Sequence, residues 1–180
     1  MKPITNFITM LAPILLFAAC GNSEKTTAEH TAKEVHTDAI TEKQVSKVTL
    51  KDDQLNAIYP HYLALTNALV NGDVTEVKVA VNAIELGSKA LSDGAELAVL
   101  SAKIGAAKDI DSQRALYADL STNLIAKIKR AGLNAGEIYI AYCPMALEDT
   151  GAVWLSNQKE IRNPYFGESM MTCGEVKETL

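Results

Sequence analysis

Histidine, cysteine and tryptophan are scarce: three, three and one among 180 residues. No two cysteines stand in a Cys-x-x-Cys pair, and no histidine lies near Cys143 or Cys173. The first absence removes the usual dithiol redox motif, and the second points away from a zinc site built from Cys and His or from four Cys. Basic charge is not in excess either, with 17 Lys and Arg against 22 Asp and Glu and a net charge of -5. Nucleic acid is therefore not an expected partner, because phosphate binding needs a basic patch. With no candidate base beside a nucleophile, the chain is not expected to be an enzyme.

What is present begins with a targeting segment. Lys2 supplies a positive start, and Phe7 to Ala19 is a mostly apolar run interrupted by Pro13. That run falls short of the roughly 20 residues a spanning helix needs. Ala18 and Ala19 lead directly into Cys20, an arrangement that resembles a bacterial lipoprotein signal, although Phe17 occupies a place where Leu, Val or Ile is commoner. The expectation is a signal peptide over residues 1–20, with Cys20 the acylated first residue of a lipid-anchored envelope protein on the periplasmic side. Residues 21–51 show no sustained apolar periodicity and read as a disordered tether. Its His30 and His36 are ordinary tail histidines in this reading.

From Asp52 a helical period takes over. Leu55, Ile58, Tyr62, Leu65 and Leu69 recur at steps of three or four, with Pro60 implying a late start or a kink. Asn71-Gly72 breaks the chain, and Asp73 with Glu76 marks a second helix burying Val77, Ala80, Ile84 and Leu91. Asp93 with Glu96 repeats the pattern for a third, burying Leu97, Leu100, Ile104 and Ala107. Asp111 is the expected cap of a fourth, lined by Leu116, Leu120, Leu124 and Ile128 and closed by Lys127, Lys129, Arg130 and Gly132. The expected fold is mainly α: an up-and-down four-helix bundle over 52–180 with a C-terminal, loop-rich cap. Within the cap, Ile138 to Cys143 alternates like a short strand.

Sulfur gathers in that cap. Cys143-Pro144-Met145 opens it, and Met170-Met171-Thr172-Cys173-Gly174 nearly closes it. Pro144 biases Cys143 toward extended backbone, where residues two apart face one way. Met170 shares a face with Cys173 if that segment is helical, and Met171 does if it is extended. Thiolate and thioether are soft ligands suited to monovalent copper or silver. The alternative is a Cys143–Cys173 disulfide with the methionines as core filler. Closing a loop of about 30 residues stabilises by roughly 3–4 kcal/mol on the chain-entropy model. Residue types alone favour the disulfide slightly and leave both readings open. Trp154, Tyr165 and Phe166 are assigned to packing, while Arg162 could pair with a carboxylate or a carbonyl.

Cys143-Pro144-Met145-Ala146, Trp154-Leu155, Asn163 to Gly167, Met170 and Cys173, in this order, resemble a domain-of-unknown-function family. Its members occur as small exported lipoproteins and appended to periplasmic adaptor subunits of copper/silver efflux pumps. The resemblance implies a heavy-metal context with Cys143, Met145, Met170 and Cys173 as ligands, and Met171 or His61 as lesser candidates. It also implies metal-efflux or other envelope proteins as partners, beside the membrane reached through the lipid anchor. One departure stands out: relatives often carry His, Met or Trp in the third helix, and Gly94 to Lys108 has none.

Overall fold

The computed structural model describes residues 47–180; Cys20, His30 and His36, and the proposed signal and most of the tether, lie outside the described residues. Four helices follow one another: α1 (Asp53–Asn71), α2 (Val74–Ser88), α3 (Ala95–Ala106) and α4 (Ile110–Ala131). Each packs on its sequence neighbour, and α1 also meets α4, which makes the up-and-down bundle. Most of the expected apolar stripes form its core: Leu55, Ile58, Tyr62, Leu65, Leu69, Val77, Ala80, Ile84, Leu97, Leu100, Ile104, Leu120, Leu124 and Ile128 are buried. Leu91 is buried too but lies past the end of α2, Ala107 is half-buried just past the end of α3, and on α4 Leu116 is half-buried while its neighbour Tyr117 takes the core position. No described helix is long and apolar enough to cross a membrane.

The helix ends show why these segments stop where they do. Asp52 caps α1, its Oδ1 accepting from Leu55 N–H at 2.8 Å. Pro60 neither delays nor breaks the helix, which runs from Asp53 through it. An interior proline costs about 3 kcal/mol, and the burial of Tyr59, Tyr62, Leu65 and Leu69 on the same helix outweighs that. Gly72 takes the left-handed conformation (φ 71°) and ends α1. Asp73 then caps α2 through Thr75 and Glu76 N–H.

Two caps differ from expectation. Asp109, not Asp111, caps α4, accepting from Ser112 N–H at 2.8 Å, while Asp111 reaches Arg114 from inside the first turn. At α3 the N-cap is Gly94, without any side-chain cap. Asp93 is drawn away to α4 instead, where Lys127 Nζ lies 2.9 Å and Arg130 3.0 Å from its Oδ2. Lys127, expected among the cations that close α4, is buried and also donates to Asp93 O at 2.6 Å. Gly94 is required by closeness: a Cβ there would sit 1.9 Å from Ser88 O.

The remainder is more ordered than a loop-rich cap. β1 (Thr49–Leu50) pairs antiparallel with β2 (Leu133–Ala135), so the packed domain starts before residue 52, and Leu50 is buried. A three-stranded antiparallel sheet follows, in the order β4-β3-β5, from β3 (Tyr139–Cys143), β4 (Ala152–Ser156) and β5 (Glu175–Thr179). β3 is central, paired along both edges, and buried at every position but Tyr142. Helix α4 packs against β4.

A tyrosine cluster joins sheet to bundle. Tyr62 on α1 receives Leu155 N–H from β4 at 3.0 Å and Tyr117 O–H from α4 at 2.7 Å, with Ser121 Oγ 2.8 Å away. Tyr117 stacks on Tyr62 with centroids 5.6 Å apart, Tyr165 follows at 5.6 Å, and Trp154 meets Tyr165 edge-on at 6.0 Å. Trp154, Tyr165 and half-buried Phe166 are therefore packing residues, as expected.

Candidate functional site

The site is assembled by the central strand and the loop that returns to pair with it. β3 delivers Cys143 to the end of the sheet, opposite Ala152. The return loop is organised by Asn163, a wholly buried polar residue. Its Oδ1 accepts from Tyr165 N–H at 2.8 Å and Phe166 N–H at 3.2 Å, and its Nδ2 donates to Cys173 O at 2.7 Å. Asn163 N–H also donates to Met171 O at 2.7 Å. One side chain thus folds the Asn-Pro turn and grips the segment carrying Cys173, the local use of Asn that turn chemistry favours.

Past Cys173, Gly174 (φ 134°) lets the chain run against the sheet. A Cβ there would stand 2.8 Å from Tyr142 O and 3.0 Å from the Trp154 ring. With that approach, Cys143 Sγ and Cys173 Sγ, 30 residues apart in sequence, come to 2.7 Å from each other. Cys143 is 0% exposed, whereas Cys173 is half-buried and faces the outside of the pair. The Cys173 thiol is pushed above its ordinary value, first by the hydrogen bond with Cys143, then by burial and by Cys143's charge. Met145 N–H, bonded to the sulfur, pulls partly the other way because it favours the thiolate.

The methionines divide. Met145 is 48% exposed and has right-handed helical backbone (φ -84°, ψ -9°), so strand alternation ends at Cys143 and does not carry on to it. Gly167–Met170 is a 3₁₀ turn, and Cys173 N–H donates to Met170 O at 3.1 Å. That bond has the i to i+3 spacing of a 3₁₀ turn and ties Cys173 to Met170 through the backbone. Met170 and Met171 are both half-buried. His61 is exposed on α1. No three or more of His, Cys, Asp and Glu gather among the described residues.

Directly after Met145 comes a feature with no sequence signal. Leu147 (φ 53°, ψ 57°), Glu148 (φ 55°, ψ 50°) and Asp149 (φ 63°) make a left-handed turn. Each such residue costs about 1–2 kcal/mol, since Cβ crowds the carbonyl oxygen. The turn is held at both ends. Buried Ala146 accepts from Gly151 N–H at 2.8 Å, and the Cys143–Ala152 pairing closes the hairpin. Strain of this kind tends to be stored beside functional sites. Asn163-Pro164 and Asp149-Thr150-Gly151 both read as turns from sequence, but the left-handed backbone at Leu147 and Glu148 does not, because neither residue type favours it.

Fold and site together define a helical-bundle protein with an antiparallel sheet that carries a buried-to-surface pair of sulfurs. Residues 58–136 match the family model described as a protein of unknown function (DUF3347), which supports a domain-of-unknown-function family. The match spans most of α1 and continues through β2, ending before β3; the sulfur segment, on which the sequence resemblance was strongest, lies outside it. No curated protein and no solved structure matches the chain.

Proposed function

We propose that this protein is a membrane-tethered module of the bacterial envelope that captures monovalent copper or silver, in the service of metal efflux or resistance. The observation that carries the reading is the convergence of Cys143 and Cys173 at 2.7 Å, the second only half-buried, with exposed Met145 and half-buried Met170 beside them in the chain. The donor set suits a soft monovalent ion. Two thiolates sharing one ion at metal–sulfur bonds of about 2.3 Å stand roughly 4 Å apart, so the pair must open. Half-buried Cys173, on a turn rather than a strand, is the partner that moves.

A second reading is supported by the same distance. At 2.7 Å the sulfurs are closer than a shared ion permits and close to the bonded separation of about 2.05 Å. Oxidation then yields a disulfide-stapled interaction lipoprotein without metal, in an envelope where disulfides persist.

Thiol counting on native protein, followed by anaerobic titration of the reduced chain with monovalent copper, decides between them. The metal reading expects accessible thiols and a one-to-one complex lost in Cys143→Ser and Cys173→Ser. Thiols already paired in native protein and resistant to mild reduction would sink it. Because the Cys173 thiol titrates above its ordinary value, copper affinity is expected to rise with pH as the ligand loses its proton.

A further inference from the structure

We infer that α3 docks antiparallel on α3 of a second copy of this chain. Helix α3 is apolar on two opposite faces. Leu97, Leu100, Ser101 and Ile104 turn into the core. The outward face carries Ala95, Val99, Ala102 and Ala106, at steps of four, three and four, with no polar residue among them. Val99 is 54% exposed there. On the neighbouring helix α2, Lys78, Asn82 and Glu85 border the groove beside Ala102, so the apolar stripe is confined to α3.

The charges flanking this face identify the occupant. The four-three-four spacing is that of the a and d positions of a coiled-coil seam, in which flanking charges choose partner and orientation. The two charged residues of α3, Glu96 and Lys103, lie seven apart on one flank of the stripe, on the side where Glu96 accepts from Asn123 of α4 at 2.7 Å. When two such helices cross antiparallel, Val99 of one lies against Ala102 of the other, and Ala95 against Ala106. Glu96 then faces Lys103 of the second copy at both ends. A two-fold contact demands this self-complementarity: whatever i touches on j, j must touch on i. Lys103 makes no ion pair with any described residue. The alanines leave room for the helix backbones to approach closely.

The test is sedimentation of the full chain carrying Cys20→Ser, so that no acyl chain drives association, over a concentration series in reductant that prevents intermolecular disulfides. The parent is expected to move toward twice the monomer mass. Val99→Asp and Lys103→Glu should each raise the dissociation constant tenfold or more with unchanged helical circular dichroism. The exchange Glu96→Lys with Lys103→Glu should recover most of that loss, a restoration that a folding defect does not produce. A chain that stays monomeric at every concentration overturns the proposal. So does a dimer indifferent to Val99→Asp, or a charge exchange no better than Lys103→Glu alone.

Discussion

Tyr62 and Tyr59, three residues apart on one helix, are both buried but differ in what their hydroxyls meet. Tyr62 OH is bonded by Leu155 N–H, Tyr117 and Ser121, whereas Tyr59 OH has no partner among the described residues. Burial pushes both hydroxyls to titrate above their ordinary range. Removing the Tyr62 hydroxyl strands the Leu155 N–H, so Tyr62→Phe should cost about 1–3 kcal/mol in urea unfolding. Tyr59→Phe removes a desolvated group with nothing to lose and should be neutral or stabilising by up to about 1 kcal/mol. At the left-handed turn, Glu148→Gly relieves crowding at φ 55°. It should raise stability by about 0.5–1 kcal/mol after the added entropy of the unfolded chain is counted. A lowered thermal midpoint for that variant would show that the turn is not strained.

Among the elements, the α2–α3 connection is decided by α4. Asp93 leaves the cap position to Gly94 because a buried ammonium, Lys127, needs it. Its carboxyl is held below the ordinary value of 3.8 by the Lys127 hydrogen bond first, with Arg130 adding to it. A depressed native pKa gives stability that is present in full above the ordinary carboxylate value and is lost as pH falls through the native one. Acid melting curves of Asp93→Asn should therefore start from a lower midpoint at neutral pH and fall less steeply below about pH 4. Equal slopes for the two proteins would remove Asp93 from the acid response. The sulfur pair is a product of elements in the same way: β3 places Cys143, and Asn163 with Gly174 places Cys173.

For the whole molecule, the tyrosine cluster makes sheet and bundle one cooperative unit, since Tyr62, Tyr117 and Leu155 bring α1, α4 and β4 to one hydroxyl. Trp154, the only tryptophan, reports on the sheet, and far-ultraviolet circular dichroism reports on the helices. The two signals should give coincident transitions in denaturant with one midpoint. Separated midpoints would mean that the sulfur-bearing sheet melts apart from its support, so that metal capture or reduction could act on it alone.

The helices were legible in the residues because their signals are local. Apolar steps of three and four, Asp at a cap and Gly at a stop each act within a turn or two of backbone. The gathering of sulfur in the last forty residues was legible as composition. Competition over distance was not. Asp93 was claimed by a lysine 34 residues further on, Pro60 was carried by the packing of its neighbours, and Leu50 was drawn into the fold by β2. The 2.7 Å meeting of Cys143 and Cys173 belongs to the same class. It depends on Asn163 holding Cys173 O and on the room left by Gly174, long-range contacts that exist only once the sheet has formed. Local sequence thus determined which segments are helices, while tertiary structure decided how α3 is capped, which charges pair and how near the two sulfurs stand, because those energies arise only when distant segments pack.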